Sequence, residues 1–198
     1  MPVSRSDEAR RNAADDGFSG VSFQDEKGLM IIGITGRNAS GKGEVAEILK
    51  KCGLNYLSIS DEVREEVRAL GLEVTRENLI SVGQETRKIW GVDVFARRCA
   101  EKIEIDKNYV VDSFRHPAEV LYFRKFADFT LIEVSAEPAV RFERVRLRGR
   151  ENDPTTFGEF LEIEKRELGS GDRTAQQLVE TAQMADIVIE NDGSLEEK

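Results

Sequence analysis

Met30-Ile-Ile-Gly-Ile-Thr-Gly36-Arg-Asn-Ala-Ser-Gly41-Lys42-Gly43 is the stretch that decides how the rest of this 198-residue chain is read. The apolar run from Leu29 to Ile34 has no polar alternation, the pattern of a strand buried on both faces. It leads into Gly36-Arg-Asn-Ala-Ser-Gly41-Lys42, which fits G-x-x-x-x-G-K. A helical pattern follows at once, with Val45, Ile48, Leu49 and Cys52 at i, i+3, i+4 and i+7. Strand, glycine loop and helix in that order make an anion site. The glycines let the backbone curl so that several N–H groups point inward, and the helix N-terminus adds the positive end of its dipole. Gly36, Arg37, Asn38, Ala39, Ser40, Gly41, Lys42, Gly43 and Glu44 are therefore candidate ATP-binding residues, with Lys42 reaching the β- and γ-phosphates. An ordinary glycine turn before a helix is the bland alternative, and the flanking strand and helix argue against it.

Length and composition bound what surrounds this loop. A chain of 198 residues suits one domain with a sizeable core. Apolar residues make up 39% and charged residues 34%, as in a globular protein with a well-solvated surface. The net charge of −9 argues against a general nucleic-acid binder. Local arginine clusters leave a small anionic ligand open. Cys52 and Cys99 both fall on helical apolar faces, so core thiols in a reducing compartment are expected rather than a disulfide. No apolar run approaches the roughly 20 residues of a membrane span. The N-terminus lacks a signal-peptide apolar region and is too acidic for a transit peptide, so a cytoplasmic protein with no membrane partner is expected.

Along the chain, residues 1–27 read as a polar, disordered tail ahead of one folded domain over 28–198. A second strand is expected over Leu54–Ser60, followed by a helix from Asp61 with Val63, Val67 and Leu70 on one face, stopped by Gly71. Thr75 is placed to cap a helix carrying Leu79, Val82, Thr86 and Ile89. Gly91 ends it, and a further helix presents Val92, Phe95, Cys99 and Ile103. Strands are expected at Tyr109–Asp112, Phe129–Val134 and Ala185–Ile189. Helices are expected from Pro117, from Pro138 to Arg150, from the Thr156/Glu159 capping box, and around Ala175 to Ala182. Short apolar strands alternating with helices indicate a parallel α/β sheet with helices on both faces.

Gly41-Lys42-Gly43 puts a glycine where most phosphate loops of this kind carry the Ser or Thr that binds magnesium. It resembles the adenylate kinase branch of the P-loop nucleotide kinases, where a Thr usually follows the second Gly; here that place holds Glu44. The resemblance covers about residues 28–198 and extends to an archaeal family of P-loop kinases. The C-terminal Ala185-Asp-Ile-Val-Ile-Glu-Asn191-Asp-Gly193 also looks like the end of dephospho-CoA kinases. It implies a three-layer α/β/α fold with strand order 2-3-1-4-5, a small helical lid over about residues 141–172, and ATP with Mg2+ as cofactors.

Site residues follow from the resemblance one at a time. Asp61-Glu-Val-Arg64 resembles the Asp-x-x-Arg after the second strand of adenylate kinases, whose Arg grips the acceptor phosphate as a guanidinium fork. An exposed helical Asp–Arg pair is the alternative. Val110-Val-Asp112-Ser-Phe-Arg115-His-Pro looks like their Asp-Gly-Phe-Pro-Arg turn, which implies that Asp112 holds magnesium through water and Arg115 meets the acceptor phosphate. The spacing differs by one residue and Ser113 replaces Gly. His116, the sole histidine, is read as a turn residue rather than a catalyst. Arg141, Arg144 and Arg148 share one helical face, and Arg144 and Arg148 match the pair that opens the adenylate kinase lid. One stacks on the donor base and the other reaches its phosphates; pairing with Glu143, Glu151 and nearby acids is the alternative. Asn191 and Gly193 correspond to the loop bordering the donor adenine. The chain stops soon after a Ser194/Glu197 capping-box pair where family members usually continue into a helix, which suggests a trimmed chain or a looser donor site.

The implied activity is that of an ATP-dependent kinase acting on a (deoxy)nucleoside monophosphate as a monomer or homodimer, with Lys42, Asp112 and Arg148 as catalytic residues. Dephospho-CoA kinase is the nearest enzymatic alternative, with Asp61 as base. A nucleotide-binding regulatory protein with little turnover is the alternative of another class, supported by Gly43 and Glu44.

Overall fold

The computed structural model describes residues 28–149, 153–168 and 174–193. The expected tail over residues 1–27 and the Ser194/Glu197 pair lie outside the described residues. Five parallel strands form one sheet in the order β2-β3-β1-β4-β5, the order expected from the sequence. They are β1 (Ile31–Thr35), β2 (Asn55–Ser58), β3 (Tyr109–Phe114), β4 (Phe129–Ser135) and β5 (Ile187–Glu190). β1 lies at the centre and is apolar on both faces because helices cover both.

Eight helices are present among the described residues. α1 (Lys42–Lys51) packs on one face, where Ala46 meets Ile34, Val110, Ile132 and Val134. The other face is covered by α2 (Ile59–Ala69), α4 (Val94–Ala100) and α5 (Pro117–Phe123), which bury Ile59, Phe95, Cys99, Val120 and Phe123 against Ile31, Val111, Phe114 and Leu131. α3 (Arg76–Trp90) packs against α2. α6 (Pro138–Arg148) and α7 (Phe157–Leu168) pack on each other, and α8 (Leu178–Ala182) returns to the sheet.

Local chemistry sets the helix starts. The Thr75 hydroxyl accepts from the Asn78 N–H at 3.2 Å. Pro117 occupies the first turn of α5. Thr156 and Glu159 exchange side-chain-to-backbone bonds at 3.2 Å in both directions before α7.

The structure corrects several expectations. Cys52 is exposed at the C-cap of α1, and Ile48 is 59% exposed. The packing face of α1 runs through Val45, Ala46 and Leu49 instead, because the small Ala46 lets the helix approach the sheet closely. Cys99 is buried as expected, and burial pushes its thiol well above the usual range. Leu70 and Ile89 are exposed rather than inward. α2 starts at Ile59 and so takes the last residues expected for β2. β3 continues to Phe114 through an irregularity: Ile34 pairs with Asp112 but Thr35 pairs with Phe114, leaving Ser113 as a bulge.

Candidate nucleotide-binding site

β1 ends at Thr35, whose hydroxyl donates to the Phe114 carbonyl at 2.9 Å and holds the tops of β1 and β3 together. The chain then turns through Gly36 (φ 141°), Ala39 (φ 60°) and Gly41 (φ 101°) into α1. These positive φ values curl the loop around the N-terminus of α1. A Cβ on Gly36 would come within 2.2 Å of the Val134 carbonyl oxygen, so no other residue fits there. Lys42 folds back over the loop and donates to the carbonyls of Gly36 at 2.9 Å and Arg37 at 2.8 Å. The Ser40 hydroxyl is buried and has no hydrogen-bond partner. Gly43 leaves open space where other loops place a hydroxyl.

Three arginines of α6 meet this loop in three different ways. Arg141 is fully buried; it pairs with both carboxylate oxygens of Glu164 in α7, donates to the Ala136 carbonyl, and lies over the Phe160 ring. Arg144 joins two segments: it donates to the carbonyls of Ala39 and Ser40 and to those of Asn191 (2.7 Å) and Gly193 (3.1 Å). The Asn191 amide adds a bond to the Ser40 carbonyl at 2.8 Å. Arg148 forks onto Asp153 at 2.8 and 2.9 Å and donates to the Asn38 side chain at 3.2 Å. The expected donor-site residues Asn38, Arg144, Arg148, Asn191 and Gly193 are thus brought together around one loop. Arg37, at the start of the loop, lies 3.8 Å from Glu164, while Glu44 is exposed on the first turn of α1.

Asp112 ends the regular part of β3 beside Ile34. Its carboxylate accepts from its neighbour's amide, Ser113 N–H, at 2.6 Å and from the Tyr56 hydroxyl at 3.4 Å. Burial, together with the Asp112 carboxylate, pushes the Tyr56 phenol above its ordinary range. Ser113 takes φ 71°, a left-handed conformation that favours glycine. Among the described residues no group of three or more His, Cys, Asp or Glu side chains could hold a metal ion. One half-buried carboxylate beside a phosphate loop fits an ion that arrives with a nucleotide and is met through water. It does not fit a protein-built metal cage.

The expected acceptor residues separate. Asp61 and Arg64 form an exposed pair at 2.7 Å on α2. Arg115 instead turns toward α8: its side chain donates to Gln176 at 3.0 Å and its carbonyl accepts from Gln177 N–H at 2.8 Å. His116 caps α5, accepting from Ala118 N–H through Nδ1 at 3.1 Å, the turn role expected of it.

Sequence reasoning missed two residues here. Glu119 is fully buried; one oxygen meets Arg87 at 3.1 Å and the other accepts from the N–H groups of Arg115 (2.8 Å) and His116 (3.1 Å). Glu119 thereby fixes the loop that follows Asp112. Its position three residues after His116, as the Glu of a capping box, was the available signal. Arg87, which lies over the Phe95 ring at 5.2 Å, carried none.

Comparison with known proteins agrees with this geometry. A family model described as an AAA domain matches residues 32–168. A UPF0200/UPF0201 protein of Archaeoglobus fulgidus is 40% identical over 85% of this chain, although the chain spans only 52% of that relative's length. A UPF0200 protein of Pyrococcus abyssi is 37% identical over 84% of the chain and 90% of its own length. A shikimate kinase from Bacteroides thetaiotaomicron shares the fold with a TM-score of 0.52 at 11% identity, over 82% of this chain and 86% of the enzyme. No helix among the described residues is long and apolar enough to cross a membrane. A glycine loop on the central strand of a 2-3-1-4-5 sheet, an arginine-bearing helix over it and relatives of this similarity lead to one conclusion: the chain belongs to the UPF0200 family and has the P-loop kinase fold.

Proposed function

We propose that the protein is an ATP-dependent kinase that transfers the γ-phosphoryl group to a (deoxy)nucleoside monophosphate. The observation that carries this reading is the convergence of Lys42, Arg144 and Arg148 on one phosphate-type loop, with Asp112 on the adjacent strand. The loop and the N-terminus of α1 would cradle the donor phosphates. Lys42 would exchange its two carbonyl partners for phosphate oxygens. Arg148 would exchange Asp153 for the transferring group. Magnesium, when bound with the nucleotide, supplies positive charge across the phosphates, and Asp112 would orient its water. The reaction is in-line: an acceptor phosphate oxygen bonds to the γ-phosphorus as the bond to the ADP oxygen breaks. The attacking oxygen is already ionised, so the residues position and neutralise charge rather than move a proton. Arg115, held by Gln176 and Gln177 just ahead of α8, would meet the acceptor phosphate, while Asp61 and Arg64 would have to part first.

The test is ADP formation with AMP, GMP, CMP, UMP, dephospho-CoA or no acceptor, for the wild type and Lys42→Ala. A nucleoside monophosphate should raise ADP formation well above background. Lys42→Ala should lower it by more than about 100-fold, as for loss of a preorganised charge contact, with an unchanged melting temperature. Stimulation by dephospho-CoA alone would move the assignment to a hydroxyl acceptor with Asp61 as base. Equal turnover in the variant would remove the loop from the chemistry.

A further inference from the structure

Behind the glycine loop lies a cleft of about 370 Å³ that none of the donor-site residues beyond Arg37 and Gly36 enters. Ile34 and Val134 pack toward α1, so their neighbours Thr35 and Glu133, which pair in register, lie on the opposite face of the sheet. Glu133 lines the cleft there, with Val188 of β5 on one side and Leu178, Ala182 and Gln183 on the α8 side. Arg37 stands at the loop end of the cleft. The volume is within the range of small-molecule sites, roughly 300–1,000 Å³, and the mixture of apolar walls with a few polar groups is what such sites use.

Two of those polar groups face the cleft with room for a partner. Glu133 is half-buried and Gln183 is exposed at the mouth of the cleft. A half-buried carboxylate facing a cleft can accept paired N–H donors from a ligand. Arg37 is held only loosely by Glu164, at 3.8 Å, and its guanidinium is 43% exposed. It is therefore available for an anionic group at the loop end of the same cleft. Arg115 is bonded to Gln176 just ahead of α8, the helix whose Leu178 and Ala182 line the cleft.

We propose that this cleft holds the ring of the phosphate acceptor, and that Glu133 reads N–H donors on the edge of a nucleobase while Arg37 and Arg115 take its phosphate. The inference deepens the kinase reading above and rests on it. The chemistry orders the bases. Guanine presents N1–H and the 2-amino group side by side, which matches the two oxygens of a carboxylate. Adenine and cytosine present a single amino group beside a ring acceptor, and the Gln183 amide could serve that acceptor. Uracil presents one N–H between two carbonyls, which would face the carboxylate.

The experiment is calorimetric titration of the full chain, saturated with a non-hydrolysable ATP analogue, with GMP, AMP, CMP and UMP in turn. GMP should bind at least about 10-fold more tightly than UMP, as for a bidentate contact between a side chain and a base. Glu133→Gln should abolish that preference. Ala182→Phe, which fills the cleft, should weaken all four. Affinity for the ATP analogue should stay within about twofold in both variants, because neither residue is one of the candidate donor-site residues. If Ala182→Phe does not fold, Glu133→Gln alone decides. The inference is overturned if none of the four ligands shows saturable binding, if GMP binds no better than UMP, or if Glu133→Gln leaves the order unchanged. Those results leave the kinase reading standing wherever Lys42-dependent ADP formation persists, so the two can fail separately.

Discussion

Arg87 and Arg148 each meet a carboxylate, and their surroundings differ in every other respect. Arg87 and Glu119 lie under the loop that follows β3, with side chains 5% and 0% exposed. Every oxygen of Glu119 is engaged, and the guanidinium rests on an aromatic ring. Arg148 and Asp153 lie over the glycine loop, 28% and 12% exposed, and the arginine divides its donors between Asp153 and Asn38. Water replaces the first pair poorly and the second easily. A buried pair whose partners are all within the fold is a fixed strut, here for the Asp112–His116 turn. A partly exposed pair beside a phosphate loop can give up its carboxylate for a phosphate at small cost. The α2–α4 side of the sheet is thus stiffened by ion pairs, Arg98–Glu66 at 2.5 Å and Lys102–Glu62 at 2.7 Å among them, while the pair on α6 stays partly open to solvent.

The contrast can be broken first at Glu119. Glu119→Ala leaves Arg87 buried without its carboxylate and strands two backbone N–H groups. It should cost about 3–5 kcal/mol, the range for breaking a buried pair. In a chain of this size each kcal/mol shifts the melting temperature by about 2–4 °C, so the drop should be near 10 °C. A shift of only a degree or two would mean that the strut carries no load.

Arg148→Ala should do the reverse. Its pair is partly exposed, so stability should change by less than about 1 kcal/mol. Turnover should fall by about 100-fold if the arginine reaches the transferring group. Thermal melts and steady-state kinetics on the same preparation would show the two effects. A large loss of stability with normal turnover would make Arg148 a second strut.

The smallest effect tests the turn that Glu119 holds. Ser113 has φ 71°, which costs a residue with a Cβ about 1–2 kcal/mol. Ser113→Gly removes that strain and adds about 0.5–1 kcal/mol of unfolded-state freedom. A net stabilisation of about 0.5 kcal/mol should appear in denaturant melts, with turnover retained. Clear destabilisation would show that the Ser113 side chain makes a contact outweighing the strain.

The parts of this molecule governed by local pattern were legible in its sequence. The buried run before Gly36, the Thr75 and Thr156 caps and Pro117 each act within a few residues, and the elements form where those signals stand. The sheet order followed from the family resemblance. The rest depended on long-range geometry. Arg87 and Glu119 are 32 residues apart, and Tyr56 and Asp112 are 56 apart. Periodicity placed Arg141, Arg144 and Arg148 on one face and could not show that Arg141 is buried on Glu164 while Arg148 stays partly open. The same limit applied to α1, where spacing pointed to Cys52 and closeness to the sheet selected Ala46.

The central claim is that the glycine loop delivers the γ-phosphoryl group of ATP to a nucleotide phosphate. It is tested most directly by following phosphorus. The wild-type protein is incubated with ATP, magnesium and each nucleoside monophosphate, and the products are read by 31P NMR. The account predicts that the γ-phosphate signal is lost in equal amount to the appearance of ADP and of one nucleoside diphosphate, without free phosphate. Release of inorganic phosphate at the same rate with and without every acceptor, or an unchanged ATP spectrum in all of them, would contradict it.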